Sequence, residues 1–537
     1  MHSKASRSNS DSESVAKQQR CARRGSAGRW QPAALPVAEL AVYAGVWLGH
    51  VCFAVYRSRL ATVHEHRLVR AWMPLVESPL IPSLIKDGTN FEWELWLAVV
   101  RRFCVALSVN SLLLQVLDHC QLAQSTQSRI MLVYSLFAHV CLFGHVQTIA
   151  VLAVCIGTIL FTVTFGRFSR LPAWTVGLTA LKFVLDYSSA ESEETSYLES
   201  LLYTYKVLQL VNFCSALADN YADMRVKATL DLLQDFVRYA FYMPYTAILI
   251  VLYEDFDQQW NSRQSANGQP VNSILCRGFR LIFWTFFIEL FLHWLHVSAF
   301  MFDVQAMSKL NDVTMFCVAY LAGQLFHVKY VVIFGVPSLF ALLDRMRPPG
   351  APICISRVSL YARVWRCFDR GLYAFLRRQV YVPFVSPTFS LPRKLLGLVL
   401  CYGFVLCWHG TDNRYVRWVL LSGVEVALEM FATSLYAHPM IRQFTDKHFS
   451  PLMFRRLVAF LQNICTAIGL FGVFHFLGDH DVGVVMANRT WWTYGIRLGY
   501  KFWYLLGLGY CFNQVNIEIE IYERSSDQQK HKNQPAF

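Results

Sequence analysis

Charge is scarce in this sequence. Only 16% of its 537 residues are Asp, Glu, Lys or Arg, against roughly a quarter in a typical soluble domain, and the mean hydropathy is +0.33. A chain this poor in charge cannot cover a water-facing surface of its own size, which excludes a string of soluble domains. Paired cysteines are also lacking. Fifteen cysteines are scattered along the chain, several inside apolar runs (Cys141, Cys155, Cys401, Cys407), and no two form a C-x-x-C pair. A disulfide framework and a structural zinc site are therefore not expected. There is no G-x-S-x-G, no G-x-x-x-x-G-K-[ST] and no H-E-x-x-H, so the nucleophile elbow, the phosphate loop and the zinc-protease helix are missing. The sequence shows no internal repeat, which counts against a transporter built from two related halves.

What is abundant is apolar side chain, 55% of the residues. It lies in runs near 36–56, 95–117, 129–165, 171–186, 199–215, 236–253, 279–301, 313–343, 395–408, 415–437, 453–477 and 492–512. Many approach the roughly 20 residues that cross a hydrocarbon core, and 129–165 is long enough for two crossings. The pattern predicts an all-α integral membrane protein, a multi-spanning helical bundle of about nine to eleven transmembrane helices plus re-entrant segments. Residues 1–33 read as a disordered basic tail, 34–521 as the multi-pass domain and 522–537 as a polar C-terminal tail expected to be disordered. The first apolar run begins near Leu35 and is long enough to span, unlike a cleavable leader. The net charge of +13 sits in the tail and the connections between runs. That distribution fits membrane topology with a cytosolic N-terminus and a lipid bilayer as partner, not a nucleic-acid surface. Residues 187–196 and 256–272 are polar enough for aqueous loops.

Three groups of residues bear on chemistry. Between Asp344 and Arg378 stand Arg345, Arg347, Arg357, Arg363, Arg366, Arg370, Arg377 and Arg378. They suit a cytosolic interfacial helix, or guanidinium forks that receive the phosphates of coenzyme A. Residues 359–378 have helical period, with Arg363, Arg366, Arg370 and Arg377 on one face and Asp369 leaning toward the other, apolar face beside Trp365. That carboxylate is either a flanking salt-bridge partner or, at membrane depth, a functional group. His409 ends the run Leu395–Trp408, which at about 1.5 Å per residue is too short to cross the membrane. It therefore lies within the membrane's depth or in a cavity, as an interhelical hydrogen-bond partner or as a general base. Glu289, His293 and His296 share one helical face, which permits a metal site but more often hydrogen-bonds across a bundle.

Taken together, Cys354-Ile355-Ser356-Arg357, then Trp365-Arg366-Cys367-Phe368-Asp369-Arg370-Gly371-Leu372, then Tyr381-Val382-Pro383, then Trp408-His409-Gly410 resemble in order and spacing the core of the hedgehog acyltransferases. These are palmitoyl-transferring members of the membrane-bound O-acyltransferase family. Fainter resemblance runs upstream through Arg238-Tyr239-Ala240-Phe241-Tyr242-Met243-Pro244. The resemblance implies a protein-cysteine N-palmitoyltransferase. It would move a palmitoyl group from palmitoyl-CoA to the N-terminal cysteine amine of secreted hedgehog-type proteins, in the membrane of the endoplasmic reticulum or Golgi. It implies His409 and Asp369 as catalytic residues, Trp365 and Arg366 beside the acyl-CoA tunnel, and Cys354 as the iron ligand of a structural haem b. The chain departs from the pattern at Ser422, where an asparagine is expected, at Phe384-Val385 in place of two glycines, and at Tyr245-Thr246-Ala247 in place of a Gly-Pro-rich segment. The alternative is a catalytically silent relative that acts as a regulatory membrane protein.

Overall fold

The apolar runs become helices because, in lipid, a helix satisfies its own backbone N–H and C=O groups. The computed structural model describes residues 31–69, 73–78, 81, 84–165, 170–186, 192–219, 228–265, 268–386, 390–479, 481–492 and 499–532. Most of the expected N-terminal tail lies outside the described residues. In chain order the elements are α1 (Val37–His64), β1 (Leu75–Glu77), β2 (Ile85–Asp87), α2 (Phe91–His119), α3 (Gln124–Phe143), α4 (His145–Phe165), α5 (Arg170–Asp186), α6 (Glu193–Asp219), α7 (Thr229–Phe241), α8 (Tyr253–Ser262) and α9 (Val271–Trp294). There follow α10 (Val297–Met301), α11 (Val304–Lys309), α12 (Asp312–Leu343), α13 (Tyr361–Cys367), α14 (Arg370–Leu376), α15 (Val382–Val385), α16 (Leu391–His409), α17 (Asn413–Tyr436), α18 (Pro439–His448), α19 (Pro451–Leu477), α20 (Val482–Ala487) and α21 (Tyr500–Lys532).

Among the described residues seven helices, α1, α2, α4, α12, α16, α17 and α19, are long and apolar enough to cross a membrane. That is fewer than the nine to eleven expected from the runs, for local reasons. The run 129–165 does form two helices, separated at Gly144, but α3 begins with the polar sequence Gln124–Arg129. Helix α5 has 17 residues. Helix α9 carries Arg277, Arg280 and Glu289. The run 236–253 is no span at all, since α7 stops at Phe241 and the chain continues to Leu252 in buried, largely irregular backbone.

Such backbone needs partners. Lys206 Nζ donates to the carbonyl of Ala240, to Thr246 O at 2.9 Å and to Thr246 Oγ1 at 2.8 Å. Gln209 Nε2 donates to Tyr245 O at 2.8 Å, and Tyr239 OH donates to Val251 O at 2.7 Å. This segment supports the arginine-rich region: a Cβ on Gly371 would lie 2.3 Å from Ile250 O, so only glycine allows α14 to approach so closely.

The expected all-α class holds except for the antiparallel pair β1–β2, which aligns Leu75 with Asp87. The strands are three residues each, below the length at which alternation is readable in sequence. Asp87, fully buried, holds the hairpin in place by accepting from Thr89 N at 3.1 Å, Ser298 N at 3.0 Å and Ala299 N at 3.1 Å. Asp87→Ala is expected to leave these donors unmet at roughly 1–3 kcal/mol for each orphaned group. The measurement is the melting temperature of the purified protein, and an unchanged value would remove Asp87 from this role.

The stripe Glu289, His293, His296 is corrected in the same region. Helix α9 ends at Trp294, so His296 is not on it. Glu289 accepts from Trp93 Nε1 at 2.7 Å and pairs with Lys86 at 3.0 Å, His293 Nε2 lies 2.7 Å from Ser78 Oγ, and His296 Nε2 lies 3.1 Å from Ile85 O. No metal-binding cluster of three or more His, Cys, Asp or Glu occurs among the described residues. The stripe fastens the hairpin to α9.

The polar tail from 522, expected to be disordered, is helical as far as Lys532. No glycine or proline interrupts the sequence from Tyr510 to Lys532. Glu520 and Glu523 anchor it by pairing with Arg363 at 2.9 and 2.6 Å.

Candidate active site

The expected helix over 359–378 is broken at Phe368–Asp369 into α13 and α14. Asp369 is the N-cap of α14, its carboxylate accepting from Leu372 N at 2.8 Å. An aspartate suits this position because it satisfies a donor that the helix leaves unpaired. It forms no ion pair among the described residues. Burial raises its carboxyl to about 6, against the lowering by the N–H groups of Leu372 and Gly371.

Helix α13 is tied down from two sides. Glu429 of α17 accepts from Tyr361 N at 2.6 Å and Ala362 N at 3.1 Å, and Tyr361 OH lies 2.9 Å from Ser422 Oγ. Glu520 of α21 accepts from Ser359 N at 3.0 Å and Ser359 Oγ at 2.7 Å. The residue that departs from the resemblance, Ser422, is thus a packing partner of α13. The indole of Trp365 stacks on Trp418 at 5.3 Å and meets Tyr402 edge-on at 4.9 Å.

These elements enclose a cavity of about 2200 Å³. Helix α16 lies along it: Lys394, Leu398, Cys401, Tyr402, Val405, Trp408 and His409 all line it, at the spacing of one helical face. The cavity therefore follows α16 from its basic end to its C-terminus, about 22 Å from Lys394 to His409. Trp365, Arg366, Asp369 and Arg377 line it as well. The structure thus brings His409, Asp369, Trp365 and Arg366 to one cavity.

His409 closes α16 and is followed by Gly410 at φ 99°, a left-handed conformation that favours glycine. Its imidazole sits among aromatic rings, with Trp418 at 5.1 Å, Phe476 at 5.3 Å and Tyr415 at 5.8 Å. Asp369 and His409 are not hydrogen-bonded to each other. Tyr205 packs edge-on to Trp408, the neighbour of His409 in the chain, at 5.7 Å and lies close enough to Asp369 to feel its charge. Tyr205, Trp418 and Phe476 carry no signal in sequence, since each is one aromatic among many in an apolar run.

The basic stretch divides in two. Arg357 and Arg363 pair with Glu523 at 2.5 and 2.6 Å, and Arg378 pairs with Glu254. Arg366 and Arg377 line the cavity and form no ion pair among the described residues.

Cys354 lies half-buried before α13. The backbone N–H of Ser356 and the Arg357 guanidinium favour its thiolate, but burial outweighs them and raises the thiol. Arg347, the other arginine beside the cysteine in sequence, gives its backbone N–H to Gln259 Oε1 at 2.7 Å.

A bundle of membrane-crossing helices around a deep cavity, basic at one end and holding a histidine at the other, defines a multi-pass membrane protein with an internal site. Residues 154–472, more than half of the chain, match the membrane-bound O-acyltransferase family, and the chain belongs to that family. It is 28% identical over 499 residues to protein-cysteine N-palmitoyltransferase HHAT of Mus musculus, covering 90% of this chain and 98% of that protein. It is 28% identical over 205 residues to protein-cysteine N-palmitoyltransferase Rasp of Drosophila melanogaster, covering 38% of this chain and 41% of the relative. A protein-cysteine N-palmitoyltransferase HHAT-like protein of Mus musculus is 23% identical over 82% of this chain and 86% of its own length.

Proposed function

We propose that this protein is a protein-cysteine N-palmitoyltransferase that moves a palmitoyl group from palmitoyl-CoA to the N-terminal cysteine amine of a secreted hedgehog-type protein, in the membrane of the endoplasmic reticulum or Golgi. The observation that carries the reading is the cavity lining along α16, with the guanidinium groups of Arg366 and Arg377, free of ion pairs among the described residues, nearby and His409 at the end away from Lys394. Acyl-CoA is cytosolic and a secreted acceptor is not, so the two substrates must meet inside the membrane. Arg366 and Arg377 are suited to the phosphates of coenzyme A. The acyl chain takes the apolar wall of Trp365, Tyr402 and Leu398. His409 accepts a proton from the attacking amine, and the Asp369 carboxylate, which lines the same cavity and caps α14, is the second catalytic group.

Transfer of radiolabelled palmitate from palmitoyl-CoA to a synthetic peptide with N-terminal cysteine, by the purified protein, tests the reading. A peptide whose N-terminus is acetylated should receive nothing. Binding of palmitoyl-CoA without transfer to any such peptide would favour the silent relative.

The same proposal includes a structural haem b held by Cys354. The donors around the sulfur fit a single thiolate ligand, with the iron's own charge needed to overcome the effect of burial. Haem would supply packing at the cytosolic face, and thioester aminolysis requires no redox step. Protein purified with adequate haem supply should show a Soret band that is lost in Cys354→Ala together with a lower melting temperature. A wild-type protein without the band would remove the haem, and a mutant that keeps it would show another ligand.

A further inference from the structure

Lysine in the middle of a membrane-crossing helix is costly unless it is paired or serves a site. Lys329 is such a residue, 17 positions from Asp312 and 14 from Leu343 in α12. It is buried and its Nζ lies 2.6 Å from Glu92 Oε2 and 3.2 Å from Asn90 Oδ1. Tyr330, which lines the cavity, donates its hydroxyl to Glu92 Oε1 at 2.7 Å. Glu92 belongs to the first turn of α2, so that helix starts deep in the protein. From there α2 runs to Asn110, about 27 Å along the helix, where Asn110 Nδ2 donates to Asp344 Oδ2 at 2.9 Å at the start of the arginine-rich segment. Glu92 is therefore about as far from the arginine side as His409 is from Lys394.

Although protein surrounds it at this depth, the Glu92 side chain keeps 37% of its surface. A counter-ion for Lys329 alone would have no need of that exposure. The side chain therefore presents free surface beside Tyr330, which lines the cavity. Its charge reaches His409 of α16, Tyr415 of α17, Tyr197 and Tyr205 of α6, and Lys329 and Tyr330 of α12. Only Lys329 in that set is a fixed cation, and each carboxylate oxygen keeps acceptor capacity beyond its one bond to Lys329 or Tyr330.

We infer that Glu92 is the acceptor-binding residue: it receives the protonated α-amino group of the incoming polypeptide and holds it beside His409. The inference rests on the proposed N-acyl transfer and names how its acceptor is held. An α-ammonium with a pKa of about 7.7–8.0 is mostly charged at neutral pH, and entry into an aromatic cavity without a partner carboxylate would carry the full desolvation penalty. One proton of the ammonium passes to His409 and the amine's freed pair attacks the thioester carbonyl. As the carbon–sulfur bond breaks, the coenzyme A thiolate takes the proton from His409. The second proton that the nitrogen loses on becoming an amide leaves to bulk water as the product departs.

The experiment compares wild type, Glu92→Gln and the double variant Glu92→Gln/Lys329→Met, with palmitoyl-CoA and an N-terminal-cysteine peptide from pH 6.5 to 9. For Glu92→Gln, KM for the peptide is expected to rise about tenfold or more at pH 7. The turnover at saturating peptide and the KM for palmitoyl-CoA should stay within about threefold, because the contact forms on acceptor binding. The KM difference should shrink toward unity as the pH passes the amine's pKa and the acceptor loses its charge. The double variant removes the stranded lysine charge, so it should recover melting temperature but keep the raised KM. Recovery of KM in the double variant, or a KM penalty independent of pH, would make Glu92 only the counter-ion of Lys329. Transfer by the wild type with an unchanged KM in Glu92→Gln would also overturn its role and leave the transferase reading intact. Absence of transfer by the wild type would overturn that reading and this one with it.

Discussion

His409→Ala is expected to lower palmitoyl transfer by roughly 10²- to 10⁴-fold, the usual contribution of a positioned base, while palmitoyl-CoA still binds. The ring touches aromatic neighbours and makes no hydrogen bond among the described residues. Its loss should therefore leave a cavity at the end of α16 without undoing a polar network. On the proposed reading donor binding draws on Arg366, Arg377 and the apolar wall, all of which line the cavity apart from His409. Single-turnover transfer and equilibrium binding of a non-hydrolysable palmitoyl-CoA analogue, measured side by side, separate the two. Transfer within tenfold of wild type would remove His409 from the base role, and loss of donor binding would assign it to the cavity wall.

The second large effect is expected at Asp369→Asn, which should cost at least about tenfold in transfer while leaving the fold intact. Asparagine caps a helix about as well as aspartate, so the bond from Leu372 N survives the change. With no ion pair to lose, a substitution that mattered only through a surface salt bridge would be worth about 0–1 kcal/mol. The pH dependence has a definite sign. Burial raises the folded-state carboxyl to about 6, above the roughly 3.9 of an unfolded aspartate. Below the unfolded value both states hold the proton and the group contributes nothing. Between the two values the ionised form, disfavoured in the fold, makes a growing cost, and this is complete above about pH 6. Asp369→Asn is thus expected to melt at or above the wild-type temperature at pH 7, and the two curves should converge as the pH falls below about 4. An active and unchanged variant would reduce Asp369 to a helix cap.

The membrane helices are legible along the chain wherever an apolar run is both long and uninterrupted, as in 313–343 and 453–477. Spans are not legible where apolar residues serve a different end. The run 236–253 is as apolar as a span, yet Lys206, Gln209 and Tyr239 satisfy its carbonyls and let it remain irregular deep in the protein. Apolar content reports burial, and burial inside protein and burial in lipid look alike along the chain. The arginine helix failed for a related reason. Its period continues smoothly through Phe368, and nothing local marks the break that Asp369 caps, just before Gly371 passes close to Ile250.

By itself the sequence determined that this is a helical membrane protein. The scarcity of charge and the lengths of the apolar runs are properties of single segments in a uniform solvent. It also set His409 at the end of its apolar run and Asp369 among arginines, and the order of those motifs is what its resemblance rests on. The run looks too short to cross, but the helix begins at Leu391, ahead of it, and is long enough. Only the tertiary structure decided which residues face one another. The cavity along α16, the packing of Tyr205 on Trp408, the neutralisation of Arg357 and Arg363 by α21, and the pairing of Glu92 with Lys329 join segments far apart in the chain. Helical period states which face a residue occupies on its own helix. The partner of that face is chosen by packing across the bundle, where side-chain volume and the need to satisfy buried charge act between helices whose separation in sequence carries no period.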